Sequence, residues 1–258
     1  MSLLLAVAIT LLIVGLGYGA RALSTSGALA ATLVGVLVLA GTGCPGLWAL
    51  GAFFVTSSIL SRKSAQFEPV WFDAPGHRRN ASQVAANGLV PAVGGLIALA
   101  GNPGLGLAVT VSSLASAAAD TWATSVGMSS PREPFSIWQR KRVPKGTSGA
   151  VSLRGTAGGI AGAITVALAP MLARTADPVT LIAATSGAIG MFIDSLLGAV
   201  VQGRFHCDVC DQRSERQVHR CGTPTRLIGG FRWLDNDGVN LLANALAGAI
   251  GAAWWTLG

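Results

Sequence analysis

Two aspartates, Asp120 and Asp194, lie inside long apolar runs. An ionisable side chain there is expensive and marks a function by default. Ser116 and Thr124 stand one helical turn on either side of Asp120, while Gly190, Gly198 and Gln202 recur every fourth residue around Asp194. Each carboxylate therefore shares a helix face with small or polar groups. Gln83, Asn87 and Pro91 repeat that spacing. Asp235, Asn236 and Asp237 open the last apolar run, whose polar face continues through Asn240 and Asn244. Amides in such positions ordinarily tie helices together. The carboxylates need more than that, because no Lys or Arg lies in the deep part of any apolar run. Carboxylates from three helices (Asp120, Asp194 and Asp237) suit a hard divalent cation with oxygen ligands, and Mg²⁺ bridging phosphates is the usual instance.

Two polar segments add further chemistry. Pro144-Lys145-Gly146-Thr147-Ser148-Gly149 precedes the sixth apolar run. Glycines and hydroxyls at a helix start offer free N–H groups to an anion, and Lys145 adds a point charge. The segment is not a Walker A loop, which has four residues between its first glycine and Gly-Lys. The neighbouring Arg140, Lys141 and Arg142 fit a phosphate ligand or the headgroups of anionic lipid. Further on, His206-Cys207-Asp208-Val209-Cys210 is followed by His219-Arg220-Cys221. A Cys-x₂-Cys with a nearby His and Cys suits tetrahedral Zn²⁺. Cys207, Cys210 and Cys221 supply three ligands, with His219 as the fourth and His206 in reserve. A closed set of four reads as structural, a clip that orders an otherwise polar loop.

The elements that must position these groups follow from composition. The 258 residues are 51% hydrophobic and 11% charged, with a mean hydropathy of +0.57; a soluble domain carries roughly 25% charged residues. A soluble globular enzyme is excluded for want of a polar coat, and disorder by the apolar content. The class is all-α: a polytopic membrane protein, 1–258, forming a single integral membrane domain. Spans need about 20 apolar residues each, which gives about eight: 2–20, 27–43, 46–61, 84–101, 104–127, 151–173, 179–202 and 237–257. The first lacks a basic start and reads as a retained helix rather than a signal peptide.

Of the 18 lysines and arginines, only Arg174 falls in a loop on the opposite side from the rest. By the positive-inside rule this sets the three long loops (about 62–83, 128–150 and 203–236) in the cytoplasm and both termini outside. The net charge of +7 thus belongs to the cytoplasmic face of a cell membrane, with no nucleic acid implied. Thr25-Ser26-Gly27-Ala28 and Thr147-Ser148-Gly149-Ala150 each enter an apolar run, with Gly35 matching Gly158, which suggests a duplication of four-helix halves.

Five segments in order carry a family resemblance: Arg79-Asn80-Ala81-Ser82-Gln83-Val84-Ala85-Ala86-Asn87-Gly88, Ala119-Asp120-Thr121-Trp122-Ala123-Thr124, Lys145-Gly146-Thr147-Ser148-Gly149-Ala150-Val151-Ser152, Asp194-Ser195-Leu196-Leu197-Gly198-Ala199 and Asp235-Asn236-Asp237-Gly238-Val239-Asn240. Over nearly the whole chain they resemble the integral membrane family first catalogued as domain of unknown function 92, whose plant members include a phytyl-phosphate kinase. Where that family commonly has a Glu after its Asp-Thr-Trp motif, this chain has Ser125-Val126-Gly127. Its Gly-Thr-Asn-Gly-Gly loop is here Gly-Thr-Ser-Gly-Ala.

The resemblance implies a membrane kinase that moves a phosphoryl group from CTP, or another nucleoside triphosphate, to a prenyl monophosphate lipid. It implies that Asp120, Asp194 and Asp237 hold Mg²⁺, that Lys145 and Gly146–Gly149 cradle the triphosphate, and that Arg78 and Arg79 neutralise the acceptor phosphate. Asn87 and Asn240 orient oxygens or metal-bound waters. Gln83, Thr124, Gln202, Asp235 and Asn236 complete the expected substrate surface. The alternatives are a CTP-dependent lipid cytidylyltransferase, using the same groups but releasing pyrophosphate, and a non-enzymatic transporter of a small anion or lipid.

Overall fold

In the computed structural model, residues 2–67, 78–173 and 178–258 are described; Arg174 lies outside them. Seven α-helices run through these residues: α1 (Leu3–Gly19), α2 (Thr25–Ser64), α3 (Ala81–Leu99), α4 (Pro103–Met128), α5 (Leu153–Leu168), α6 (Val179–Val200) and α7 (Asn236–Leu257). Four of them are long and apolar enough to cross a membrane: α2, α3, α5 with its 3₁₀ extension, and α6. The chain is a mostly helical, multi-pass membrane protein.

The two short runs expected at 27–43 and 46–61 are two helical halves, together α2, that turn back on each other at Gly43. Gly43 takes φ 67° and ψ −155° inside it, with Pro45 two residues on. A left-handed φ is open to glycine without a Cβ penalty, and proline removes the next helical N–H. The guanidinium of Arg62, near the end of α2, donates to the carbonyl of Ala20 just before its start at 2.7 Å. The two halves are therefore antiparallel.

The centre of the bundle is α4, which packs against α2, α3, α5, α6 and α7. Its stretch from Gly106 to Ala119 is buried throughout and consists largely of Ala, Ser, Val and Gly. Small side chains let backbones approach closely where lipid provides no hydrophobic drive between helices. Ser112 and Ser186 hydroxyls meet at 3.0 Å between α4 and α6, and Thr110 donates to the Pro91 carbonyl of α3 at 3.2 Å. The leucines of α1 are instead turned outward, as at Leu4, Leu12 and Leu16.

Two antiparallel sheets modify the all-α expectation. Between α4 and α5, β1 (Phe135–Ser136), β2 (Lys141–Arg142) and β3 (Ala150–Val151) pair in the order β2-β1-β3. Between α6 and α7, β4 (Arg204–Cys207), β5 (Gln212–Ser214) and β6 (Arg226–Gly229) pair in the order β5-β4-β6.

The two Thr-Ser-Gly-Ala segments occupy different structures. Thr25–Ala28 is the first turn of α2, whereas Thr147–Ala150 is a loop leading into β3, with α5 starting only at Leu153 behind its Ser152 cap. The match does not superpose equivalent elements.

Candidate functional site

The C-terminal halves of α4 and α6 meet the N-terminal turns of α5 and α7 at one end of the bundle, and an open cleft of about 150 Å³ lies there. Asp120 reaches it from α4 and Asp194 from α6, so that both carboxyls line one space. Neither forms a salt bridge among the described residues. Asp194 Oδ2 is buried without a hydrogen-bond partner. Two facing carboxylates and an orphaned buried oxygen fit a hard cation, which takes oxygen donors and offsets their charge.

The loop before α5 forms the opposite wall, contributing Lys145, Gly146, Thr147, Ser148 and Gly149. Lys145 Nζ donates to the Met128 carbonyl at the end of α4, at 3.1 Å. The Thr147 hydroxyl donates to the Pro144 carbonyl at 2.7 Å. Ser148 Oγ stands 2.8 Å from Gln202 Oε1 and 3.1 Å from the Gly198 carbonyl, which joins the loop to the end of α6. Gly146 and Gly149 have φ of 82° and 70°. This wall was expected at a helix N-terminus. It is instead a separate turn, because Ser152 rather than Gly149 caps α5 by accepting from the Gly155 N–H at 3.1 Å. Thr124, Gln202 and Asn236 also line the cleft. Arg140, Lys141 and Arg142 do not; they lie on the exposed β1–β2 turn.

Asp237, expected with the aspartate pair, is not among the residues lining the cleft. In the first turn of α7 its carboxylate accepts from the Ser82 hydroxyl of α3, so that face of the helix is turned to a different neighbour. Asp235 caps α7, accepting from the Gly238 N–H at 2.9 Å. Gln83 completes a capping box with Asn80 at the start of α3. Asn240 Oδ1 is buried and unpartnered, and Asn87 joins Asn244 at 3.2 Å.

A second, strongly apolar groove of about 280 Å³ runs between α1, α2 and α3, with Thr10, Arg79, Gln83 and Asn87 as its polar residues. The Arg79 guanidinium lies over the rings of Phe53 and Phe54, 5.0 and 5.6 Å from their centres. Arg78 is exposed and lines neither cavity. Arg79 and the aspartate pair thus sit in separate cavities, with the Asn236–Asp237 turn of α7 reaching both the cleft and α3.

Glu215 was missed. It follows β5 and lines the cleft with the two aspartates. No local pattern distinguishes it from the many charges of that loop.

The loop's own cluster is compact. The ligand atoms of Cys207, Cys210, His219 and Cys221 all lie within 4.8 Å of one another, a group able to hold a metal ion. Cys207 and Cys221 sulfurs are 3.7 Å apart, and a Zn–S bond of about 2.3 Å implies a tetrahedral edge near 3.8 Å. His219 Nδ1 lies 3.1 Å from Cys221 Sγ. Hydrogen bonding with Thr223, then with His219, holds the Cys221 thiol down to about 6, toward the thiolate a metal needs. The hydrogen bond to Cys221, then burial, pushes Cys210 up to about 11. His206 is turned away, 3.3 Å from Asp211 and 3.7 Å from Asp208.

The family model described as integral membrane protein DUF92 matches residues 8–248. An uncharacterized membrane protein of Methanocaldococcus jannaschii, MJ0933, is 27% identical over 231 residues, covering 90% of this chain and 85% of its own. Protein PGR of Arabidopsis thaliana is 33% identical over 136 residues, 48% of this chain and 46% of PGR. The chloroplastic protein VTE6 of the same plant is 28% identical over 241 residues, 88% of this chain and 64% of VTE6. The chain thus spans less than two thirds of either plant protein. No solved structure matches it.

Proposed function

Because the chain belongs to the DUF92 integral membrane family, we propose that it is a membrane kinase moving the terminal phosphoryl group of a nucleoside triphosphate, CTP by the family resemblance, onto a prenyl monophosphate. The observation that carries this reading is the cleft in which Asp120, Asp194 and the Lys145–Gly149 turn face one another. Lys145 and the backbone N–H groups of Gly146–Gly149 hold the triphosphate. Asp120 and Asp194 hold Mg²⁺, with Glu215 beside them. The bound cation supplies neutralisation of the phosphate oxygens, which with positioning is most of what phosphoryl transfer requires. An oxygen of the acceptor phosphate attacks the γ-phosphorus, the bond to the β-phosphate oxygen breaks, and the nucleoside diphosphate leaves. The acceptor is already ionised, so no general base is needed. The acceptor chain lies in the apolar groove past Arg79, and its phosphate reaches the cleft beside the Asn236–Asp237 turn, with Asn87 and Asn240 orienting oxygens. Asp237, bonded to Ser82, holds α7 to α3 between the two cavities.

Product analysis from labelled CTP and phytyl phosphate in detergent micelles with Mg²⁺ tests this directly. CDP plus the lipid diphosphate is expected. Pyrophosphate with a CDP-lipid would assign the chain to cytidylyl transfer instead.

In this reading the chain crosses the membrane eight times, with both termini outside and the basic loops in the cytoplasm. In a Cys44→Ala background, single cysteines placed at 130–145 should resist impermeant thiol reagents added outside intact cells. Labelling there would reverse the topology.

Zn²⁺ at Cys207, Cys210, His219 and Cys221 clips the last loop. Elemental analysis should find about one zinc per chain, reduced in Cys207→Ser/Cys210→Ser, with faster proteolysis within 203–236. Zinc-free protein of equal protease resistance would remove the clip.

A further inference from the structure

A third cavity, of about 250 Å³, adjoins the aspartate cleft and shares Gly146, Thr147, Ser148 and Glu215 with it. Its other walls come from both polar segments: Trp138 and Gln139 from the β1–β2 turn, Arg213 from β5 and Ile228 from β6. The Trp138 indole is 62% exposed and Ile228 45% exposed, so each offers an apolar face to the space. Arg204 is held by its bond to the Ala199 carbonyl at 3.1 Å and fixes the floor against the end of α6.

Resting on the kinase reading, we infer that this cavity is the nucleoside subsite of the phosphoryl donor. A triphosphate laid along Gly146–Gly149 with its terminal phosphate at Asp120 and Asp194 leaves its sugar and base on the far side of that turn. The cavity sharing three residues of the turn is the space they enter. The Trp138 ring stacks on the base, since every base has a π-face for an aromatic side chain. The Gln139 amide offers both a donor and an acceptor to a base edge, and Arg213 lies beside the phosphates. Both polar segments are then needed to bind one donor.

Equilibrium titrations of the purified full-length protein in nanodiscs, with Mg²⁺, test this using CTP and inorganic tripolyphosphate as probes. The wild type should bind CTP about tenfold or more tighter than tripolyphosphate. Trp138→Ala should erase most of that advantage and leave tripolyphosphate binding unchanged, and Trp138→Phe should restore it. Equal binding of the two probes by the wild type would overturn the subsite while leaving the phosphate cradle standing. So would an advantage that survives in Trp138→Ala. Parallel loss of both probes in that variant would reduce Trp138 to a structural residue. Binding of neither by the wild type would overturn the subsite together with the kinase reading.

Discussion

Asp120→Asn and Asp194→Asn are each expected to lower phosphoryl transfer from CTP to phytyl phosphate by more than about 100-fold, beyond the 10- to 100-fold typical of losing an outer-shell partner of a metal. The amide keeps the shape and hydrogen-bonding capacity of the carboxyl and removes the charge that draws a divalent cation. The expectation follows from the pair's placement: two carboxyls lining one cleft, an Asp194 oxygen buried without a hydrogen-bond partner, and no salt bridge, all among the described residues. If the aspartates only tie α4 to α6, each change costs about 0.6 kcal/mol, the average for hydrogen bonds between membrane helices, and turnover persists. Rates of both variants at saturating Mg²⁺, with thermal melting in the same detergent, separate these outcomes. Near-normal turnover in both would remove the metal site.

Gly149→Ala should act almost as strongly by a different route. Its φ of 70° costs a residue with a Cβ about 1–2 kcal/mol. The added methyl would also stand 2.3 Å from the Ala199 nitrogen and 2.4 Å from the Ser195 carbonyl oxygen of α6. Either the turn or the helix carrying Asp194 must move. A displacement of about 1 Å in a phosphate cradle costs on the order of 100-fold in rate. KM for the nucleotide should rise and kcat fall together. Unchanged kinetics in a folded Gly149→Ala protein would show that the turn does not position the donor.

The helices and half of the site could be read from the sequence because their signals are local. Gly43-Cys44-Pro45-Gly46 marked the turn of α2, and spacing by four placed Asp120 with Thr124 and Asp194 with Gln202 on shared faces of their helices. The cysteine spacing gave the metal cluster. The strand alternation of β4 explains why His219, not His206, completes it: His206 and Cys207 are adjacent in one strand and point to opposite faces. What could not be read depends on packing between distant elements. Which neighbour the Asp237 face of α7 meets is set by how α7 lies on α3. That Glu215 enters the cleft is set by the folding of the 203–236 loop. The two Thr-Ser-Gly-Ala segments take different conformations because four residues do not fix the backbone; the Ser24 and Ser152 caps set the helix starts.

The central position of α4 also orders events at the ribosome. Helices α1, α2 and α3 emerge first and pack among themselves, α1 on α2 and α2 on α3. The apolar groove, lined from Thr10 to Gly88, lies wholly within that trio. The cleft needs α4, α6, the turn before α5 and the first residue of α7, and so closes only after α7 has been delivered. A nascent chain therefore exposes a lipid-sized slot early, while the half-built bundle still lacks its small-residue axis.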